Sequence, residues 1–313
     1  LTSSMLVAFR DVVKRGVRYP GDIVYFAVAD EEAGGIFGAA PLIEKHWDKL
    51  HCDYVLTEYG GTPSTTPEGT TVLLTAGEKT GAARRITVHG TPGHGSMPYA
   101  TDNAMVKAAE IVRRLYEGDV APRIDEMFIE RVKALGLSSD IEARLLDPIQ
   151  VKDALAELPE GLARNTHSCC HMTFSPNVMT SGNKLNTVPD RAVIEVDIRA
   201  LPGDTLADVD RVLREVIGED MLPHVDIEPW REDMPEGSPI SSTDTPLWDA
   251  LADSIRIAYP DARVIPSIVT GGTDARFFRR HGVPGYGAGL LSNKVPLSEF
   301  LNRFHGHNER IDI

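Results

Sequence analysis

The chain has 313 residues, 42% of them hydrophobic and 25% charged, which is the composition of a globular protein long enough for two domains. Its formal net charge of −14 argues against nucleic acid or an anionic membrane as a partner, because both repel an acidic surface. No apolar run approaches membrane-spanning length, and an odd number of cysteines, three, favours reduced thiols and a cytoplasmic location.

The first predicted element is a helix over residues 3–13, whose apolar side chains form one stripe, and Gly16 ends it. This helix has no strand before it and leads into an apolar segment, as in the second half of a βαβ unit. Because the chain also starts with Leu1 rather than Met, we expect that the first portion of this domain precedes it.

Residues 23–29 are apolar without alternation, which predicts a strand buried on both faces, as in parallel sheets. The run ends in Asp30, Glu31 and Glu32, and two glycines follow. The carboxyl end of a central strand is where open α/β sheets bind ligands. Adjacent carboxylates repel each other unless a cation or a shared proton offsets the repulsion, so the triplet predicts a divalent metal site. A solvated acidic loop is the alternative.

A second acidic residue follows the next predicted strand, at residues 53–57, where Glu58 precedes Gly60 and Gly61. An acid at the end of this strand is placed to converge with the first cluster. The alternative is an ordinary loop or capping glutamate.

The pattern then changes to that of a small α+β layer domain inserted into the first one. Residues 193–199 alternate as a half-solvated antiparallel strand does, and residues 118–165 are mainly helical. The other elements predicted for the insert are strands at 84–90 and 225–228 and helices at 102–116 and 205–217. The first domain resumes near Ser238 with a helix at 248–258, a strand at 264–270 and a glycine-rich loop that opens another helix.

Eight short motifs occur in order along the whole chain. They are Asp30-Glu31-Glu32-Ala33-Gly34-Gly35, Glu58-Tyr59-Gly60-Gly61, Gly77-Glu78-Lys79, His89-Gly90-x-x-Gly93-His94-Gly95-Ser96, Asn186-Thr187-Val188-Pro189, Asp197-Ile198-Arg199, Gly271-Gly272-Thr273-Asp274-Ala275-Arg276 and His305-x-x-Asn308-Glu309. Each motif is weak alone, but together they resemble the M20 metallopeptidase family, which includes the aminoacylases, carnosinase-like dipeptidases and succinyl-diaminopimelate desuccinylases.

The resemblance implies an α/β fold with a mostly parallel-sheet, zinc-peptidase-like catalytic domain. A smaller α+β, ferredoxin-like dimerisation domain interrupts it. We assign residues 1–81 and 233–313 to the catalytic domain, with its N-terminal part missing, and residues 82–232 to the inserted domain. The resemblance also implies a homodimer, and we expect its two-fold contact at the predicted strand 84–90 and helix 102–116.

The resemblance further implies two Zn²⁺ ions per complete subunit, with Co²⁺ or Mn²⁺ as substitutes, and a bridging water that attacks an amide carbonyl. Glu32, Glu58 and His305 match metal ligands, and Glu31 matches the general base. Two further ligands of the family, a histidine in a His-x-Asp motif and a bridging aspartate, have no match in this chain. Because zinc needs three or four protein ligands at each site, we expect the chain by itself to bind zinc weakly and to be inactive.

His94 matches a histidine that crosses the dimer interface and donates a hydrogen bond to the developing oxyanion of the partner's substrate. Asn186 and Arg199 match residues of the inserted domain that hold the substrate. The alternative for His94 is an ordinary loop histidine, and the alternative for Arg199 is an exposed strand residue.

Arg276 matches a residue that clamps a carboxylate, a bidentate task that suits arginine. Gly272 and Thr273 open a helix, and the free N–H groups there suit an anion. Asp274 is expected to cap that helix rather than to act as a catalyst.

These assignments predict a metal-dependent hydrolase of the amide bond in an N-acyl amino acid or small peptide with a free carboxylate. A dipeptidase or carboxypeptidase of the same family is the first alternative. The second is a non-catalytic, dimeric ligand-binding homologue or an inactive fragment. The expected partners are a small-molecule substrate and a second copy of the chain, without nucleic acid or membrane.

Overall fold

The computed structural model describes residues 2–66, 69–118, 120–232, 237–291, 293–295, 297–303 and 310. The helices are α1 (Thr2–Arg15), α2 (Ala39–Leu50), α3 (Ala104–Glu117), α4 (Glu126–Ala134), α5 (Ser139–Leu145), α6 (Val151–Ala156), α7 (Glu160–Cys170), α8 (Leu206–Ile217), α9 (Pro246–Ala258), α10 (Ala275–Arg280) and α11 (Leu297–Leu301). The strands are β1 (Val55–Thr57), β2 (Thr62–Thr66), β3 (Gly69–Glu78), β4 (Thr80–Gly81), β5 (Arg84–His89), β6 (Gly93–His94), β7 (Thr173–Ser181), β8 (Thr187–Val188), β9 (Arg191–Ala200), β10 (Val225–Pro229), β11 (Arg263–Val269) and β12 (Gly285–Gly287).

The first sheet is built around β3. Strand β11 pairs with β3 in parallel, β2 and β12 pair with β3 in antiparallel, and β12 pairs with β1 in parallel. Val72, Leu74 and Ala76 of β3 are buried against Trp248 and Ile255 of α9. The α/β class is as predicted, but the sheet of the described residues is mixed rather than mostly parallel. The sequence prediction missed β2 and β3, whose threonines interrupt the apolar pattern.

The prediction of a buried strand at residues 23–29 is wrong, because these residues belong to no strand. Ile23 and Val24 are 53% and 66% exposed. A strand becomes buried only when neighbours hydrogen-bond its edges and layers cover both faces. Within the described residues no strand pairs with this segment, and helix α1 has no buried residue. Only Phe26 and Val28 pack on a core, the one formed by α2 and α10.

The second sheet consists of strands from the segment predicted as an inserted domain, together with β4, which lies just before the predicted boundary at residue 82. Strand β9 pairs in antiparallel with β5, β7 and β4, and β10 pairs with the other edge of β5. Every second residue of β9 is buried, which confirms the alternation seen in the sequence. Helices α3 and α8 cover one face and share a core with the sheet, in which Ile86, Ile111, Ile194, Ile198 and Leu213 are fully buried. The α+β character of the insert is therefore confirmed.

Helices α4 to α7 form a layer with a core of its own. Phe128, Leu145 and Leu155 are buried in that core, and Ile268 of β11 packs against it. Arg131 of α4 donates a hydrogen bond of 3.1 Å to the hydroxyl of Ser267, also on β11. The range 82–232 therefore contains two cores, and the helical one lies against the first sheet.

None of the helices within the described ranges combines the length and the apolar composition that crossing a bilayer requires. Cys52, Cys169 and Cys170 are free thiols, as the sequence predicted.

Candidate active site

Glu31 and Glu58 each lie next to a residue in the left-handed backbone region. Glu31 opens a 3₁₀ turn, Glu31–Ala33, directly after Asp30 at φ 76°, and Glu58 follows β1 directly before Tyr59 at φ 63°. The Phe37 N–H donates 2.8 Å to Oδ2 of Asp30, which holds this turn. Non-glycine residues adopt such angles at a cost in free energy, and they cluster at functional sites. The two acids therefore occupy constrained positions.

The electrostatics place these acids in one half-buried cluster. Burial, together with the charges of Glu58 and Asp274, raises the pKa of Glu31 to about 7. Burial likewise raises the pKa of Glu58, assisted by Asp274 and Glu32. The coupling between these carboxylates supports the predicted approach of Glu31 to Glu58, although no strand precedes Glu31.

Asp274 belongs to the same cluster. The sequence analysis predicts only a helix cap at this residue and misses its place among the carboxylates. It precedes α10 as expected, but its side chain makes no capping hydrogen bond, and its buried Oδ1 has no partner among the described residues. Burial raises its pKa. A Cβ on Gly35, at φ 66°, would lie 2.6 Å from that Oδ1, so the turn after Glu32 can approach Asp274 only as glycine. The glycine pair in the sequence was the available signal.

Arg276 is the cation of the cluster. Its Nη2 donates to the carbonyl oxygen of Gly34 and its Nη1 to that of Thr273, both at 2.8 Å. The guanidinium also lies over the ring of Phe277, 4.6 Å from the centroid. Its charge lowers the pKa of Glu31, Glu58 and Asp274 against the effect of burial. These contacts fix the guanidinium between the loop after Glu31 and the loop before α10.

The predicted anion site at Gly272 and Thr273 needs a correction. The N–H of Thr273 donates to the carboxylate of Glu78, so this donor is satisfied within the chain. Glu78 also forms an ion pair of 2.5 Å with Arg279, and both side chains are only 1% exposed. A Cβ on Gly272 would lie 2.8 Å from Nη1 of Arg276. The loop is therefore built for close packing, and its described partner is an internal carboxylate.

His94 and Asn186 lie together in a small two-stranded sheet of the inserted domain. Strands β6 and β8 pair His94 with Thr187, and the Gly95 N–H donates 2.8 Å to the carbonyl of Asn186. The N–H of Ser96 donates 3.2 Å to Nδ1 of His94. A backbone N–H can only donate, so Nδ1 accepts, and the neutral ring carries its proton on Nε2. The exposed His94 thus presents an Nε2–H donor.

Arg199 lies on β9, between Gly81 of β4 and Thr173 of β7. Its Nε donates to both carboxylate oxygens of Asp197, at 2.9 and 3.2 Å. Within the described residues, no hydrogen bond or ion pair joins His94, Asn186 or Arg199 to the acidic cluster. The predicted site residues therefore fall into two groups, one in each domain.

The chemistry of the acidic cluster fits a divalent cation, but its grouping is incomplete. Several half-buried carboxylates and the unpartnered Oδ1 of Asp274 are hard oxygen donors that a cation would stabilise. Glu32 is exposed beside them, and His305 lies outside the described residues. Across the described ranges, no three histidine, cysteine or acidic side chains lie close enough together to hold a metal.

Comparison with known proteins agrees with this arrangement. Residues 76–225 match the peptidase dimerisation domain of the M20 family. The chain is thus similar to M20 peptidases, within this domain and along its length. It is 26% identical to a probable carboxypeptidase S-like 2 of Dictyostelium discoideum over 99% of this chain and 59% of that protein. It is also 26% identical to the N-fatty-acyl-amino acid synthase/hydrolase PM20D1 of Xenopus tropicalis, over 98% of this chain and 60% of that protein.

Solved peptidase structures share the fold. The di-peptidase Dug1p of Saccharomyces cerevisiae superposes with a TM-score of 0.57 at 14% identity, over 91% of this chain and 60% of that one. An M20 family metallo-carboxypeptidase of Sulfolobus solfataricus gives a TM-score of 0.52 at 20% identity, over 83% of this chain and 60% of that one. The chain thus spans about 60% of the length of the M20 relatives that it matches.

Proposed function

We propose that this protein is a metal-dependent hydrolase of an amide bond in an N-acyl amino acid or small peptide with a free carboxylate. The observation that carries the proposal is the half-buried cluster of Glu31, Glu58 and Asp274 around Arg276, in which the pKa of Glu31 is raised to about 7. A carboxylate with a pKa near the working pH accepts and returns a proton efficiently, as a general base must. The carboxypeptidase and acyl-amino acid hydrolase relatives support the same reaction class.

In this mechanism Glu31 takes the proton of the attacking water and returns it to the leaving amine. Glu32, Glu58 and His305 would hold the metal ions. A bound divalent cation would polarise the scissile carbonyl and lower the pKa of the attacking water. Arg276 binds the free carboxylate of the substrate.

Asn186 and Arg199, on the inserted domain, hold the rest of the substrate in this proposal. The Nε2–H of His94 donates to the oxyanion as it develops on the partner subunit's substrate. Among the described residues no hydrogen bond joins His94 to the acids of its own chain, which is consistent with this crossed arrangement.

Metal removal tests the proposal. We expect the protein, produced at the full length that its gene encodes, to release free amino acid from N-acetyl-, N-oleoyl- and dipeptide substrates. Dialysis against a chelator should remove the activity, and Zn²⁺, Co²⁺ or Mn²⁺ should restore it. Bound metal is counted by atomic absorption. About two ions per subunit support the enzyme. A protein without bound metal and without hydrolysis is instead a ligand-binding homologue.

The same panel separates the two substrate classes. Faster cleavage of acylated amino acids supports an aminoacylase-type enzyme. Faster cleavage of dipeptides supports a dipeptidase or carboxypeptidase, a reading that the similarity to carboxypeptidase S-like 2 favours.

A homodimer through the inserted domain is part of the proposal. The sequence pointed to β5 and α3 for the contact, but β9 and β10 occupy both edges of β5. Strand β7 pairs only with β9 among the described residues. Its Met179 is 48% exposed and lies opposite Ile194, and Ile194 is buried on the helix side of the sheet. Exposed Met105 and Val106 of α3 lie on that side of the sheet. We therefore assign the strand part of the dimer contact to β7 instead of β5.

Met179→Lys is therefore expected to weaken the dimer. A C2 contact places the new charge in the interface twice, and burying an unpaired ammonium costs more than the about 1–3 kcal/mol of a neutral polar group. Sedimentation velocity at micromolar concentration should then show a monomer. Glu228→Lys, which changes the charge on the opposite edge strand β10, is the control and should remain dimeric. If Met179→Lys sediments as the unchanged dimer, the contact does not involve this edge.

A further inference from the structure

Lys79 is a buried cation without an acidic hydrogen-bond partner. Its side chain is 1% exposed. The Nζ donates 2.8 Å to the carbonyl oxygen of His171 and 3.1 Å to Oγ1 of Thr173, and no ion pair links it to a carboxylate in the described part of the chain. Burying a lysine is costly because it removes the charge from water. Burial, together with the nearby charge of Arg199, accordingly lowers its pKa to about 8.

Lys79 lies where the chain passes from the catalytic sheet to the inserted one. Its own N–H donates 3.0 Å to the carbonyl of Val269 on β11, in the catalytic sheet. Its side chain reaches the first residue of β7, in the inserted sheet. Glu78, the residue before it, bonds to Thr273 and Arg279 on the catalytic side. The side chains of Glu78 and Lys79 thus bond to different domains, because successive side chains of an extended chain point to opposite sides.

The side chain of Lys79 bonds to β7 and its backbone leads into β4, and these two strands flank Arg199. Thr173, which Lys79 contacts directly, is the cross-strand partner of Arg199 on β7. Gly81, two residues after Lys79, is the cross-strand partner of Arg199 on β4. A Cβ on Gly81 would lie 3.6 Å from Nη1 of Arg199, so the guanidinium lies over this crossing. The bonds of Lys79 therefore connect β7, beside Arg199, to the edge of the first sheet at Val269.

We propose that Lys79 is a positioning residue that fixes Arg199 at the junction of the two domains. This inference rests on the proposed function, in which Arg199 holds the substrate. Lys79 does not touch the substrate. It acts through the strand pair that carries Arg199, and it secures the angle at which the inserted domain meets the catalytic cleft.

The test compares variants of the full-length enzyme on the N-acyl amino acid that it cleaves fastest. Lys79→Met keeps the volume and removes both hydrogen bonds, and we expect KM to rise about 10-fold, because small misplacements of a binding group are costly. Thr173→Val removes only the longer bond, the one from Lys79 to Thr173, and should raise KM less. Thr173→Ser keeps the hydroxyl and should keep the KM of the parent enzyme. Lys107→Met is the matched control, because Lys107 donates 2.8 Å to the carbonyl of His89 within the inserted domain alone.

A double-mutant cycle tests whether Lys79 acts through Arg199. In an Arg199→Ala background, Lys79→Met should leave KM where Arg199→Ala alone put it, because the group to be positioned is gone. Additive effects would overturn the inference, as would an unchanged KM in both Lys79→Met and Thr173→Val. If Lys79→Met does not fold, the two Thr173 variants decide. If Arg199→Ala itself leaves KM unchanged, the assignment of Arg199 in the proposed function is what fails.

Discussion

Glu31→Gln is expected to lower kcat by at least about 10²-fold while the metal content stays unchanged. Glutamine has nearly the same shape as glutamate but cannot accept a proton from water, and general base catalysis contributes about 10²–10⁴-fold. Glu32 and Glu58 remain in the variant, so the metal ligands proposed for this part of the chain are intact. The measurements are steady-state kinetics and metal content by atomic absorption on the same full-length sample.

Two control variants distinguish loss of the base from loss of the metal. Glu32→Gln should lose metal together with activity, because it removes a proposed ligand. Glu44→Gln, on the exposed face of α2, should change neither. Loss of metal from Glu31→Gln would place Glu31 among the ligands and remove it as the base.

Arg279→Met is expected to destabilise the protein by about 3–5 kcal/mol, since it leaves Glu78 as an unpaired buried charge. The pair is 1% exposed on both sides, and Arg279 also donates 3.2 Å to the carbonyl of Gly285. The free energy of unfolding is measured by urea denaturation at pH 7.

The double variant Glu78→Leu with Arg279→Met should recover part of the loss, because no charge then remains buried. Arg113→Met, in a solvent-exposed ion pair of α3, is the control and should leave the midpoint unchanged. A single Arg279→Met variant as stable as the parent would show that Glu78 finds another partner or becomes neutral.

The elements predicted well are those whose pattern is set by one buried face. Helix α8 was predicted at residues 205–217 and spans Leu206–Ile217, because Thr205 and Asp208 form a capping box before an amphipathic run. Strand β9 was predicted at residues 193–199 and spans Arg191–Ala200, because its alternation continues over the whole sheet. Local sequence decides such elements, so their positions follow without knowledge of the rest of the fold.

The elements predicted poorly depend on neighbours far away in the chain. Residues 23–29 have the composition of a buried strand but find no pairing strand among the described residues. The pairing of Glu78 with Arg279 joins residues 201 positions apart, and nothing near either of them signals the other. Asp274 looked like a helix cap because capping is the commonest local use of aspartate there, whereas its position among the carboxylates is a tertiary property.

The inserted domain leaves the catalytic sheet and returns to it through adjacent strands. Arg84 of β5 pairs with Pro229 of β10, and the N–H of Trp230 donates 3.1 Å to the carbonyl of Ala83. With entry and exit side by side, a short turn could join them at a small cost in loop-closure entropy. A chimera that exchanged this whole segment would, however, also remove α4 to α7 from β11. A graft that spares the catalytic sheet must therefore keep the helical layer and exchange only the strands and helices of the second sheet.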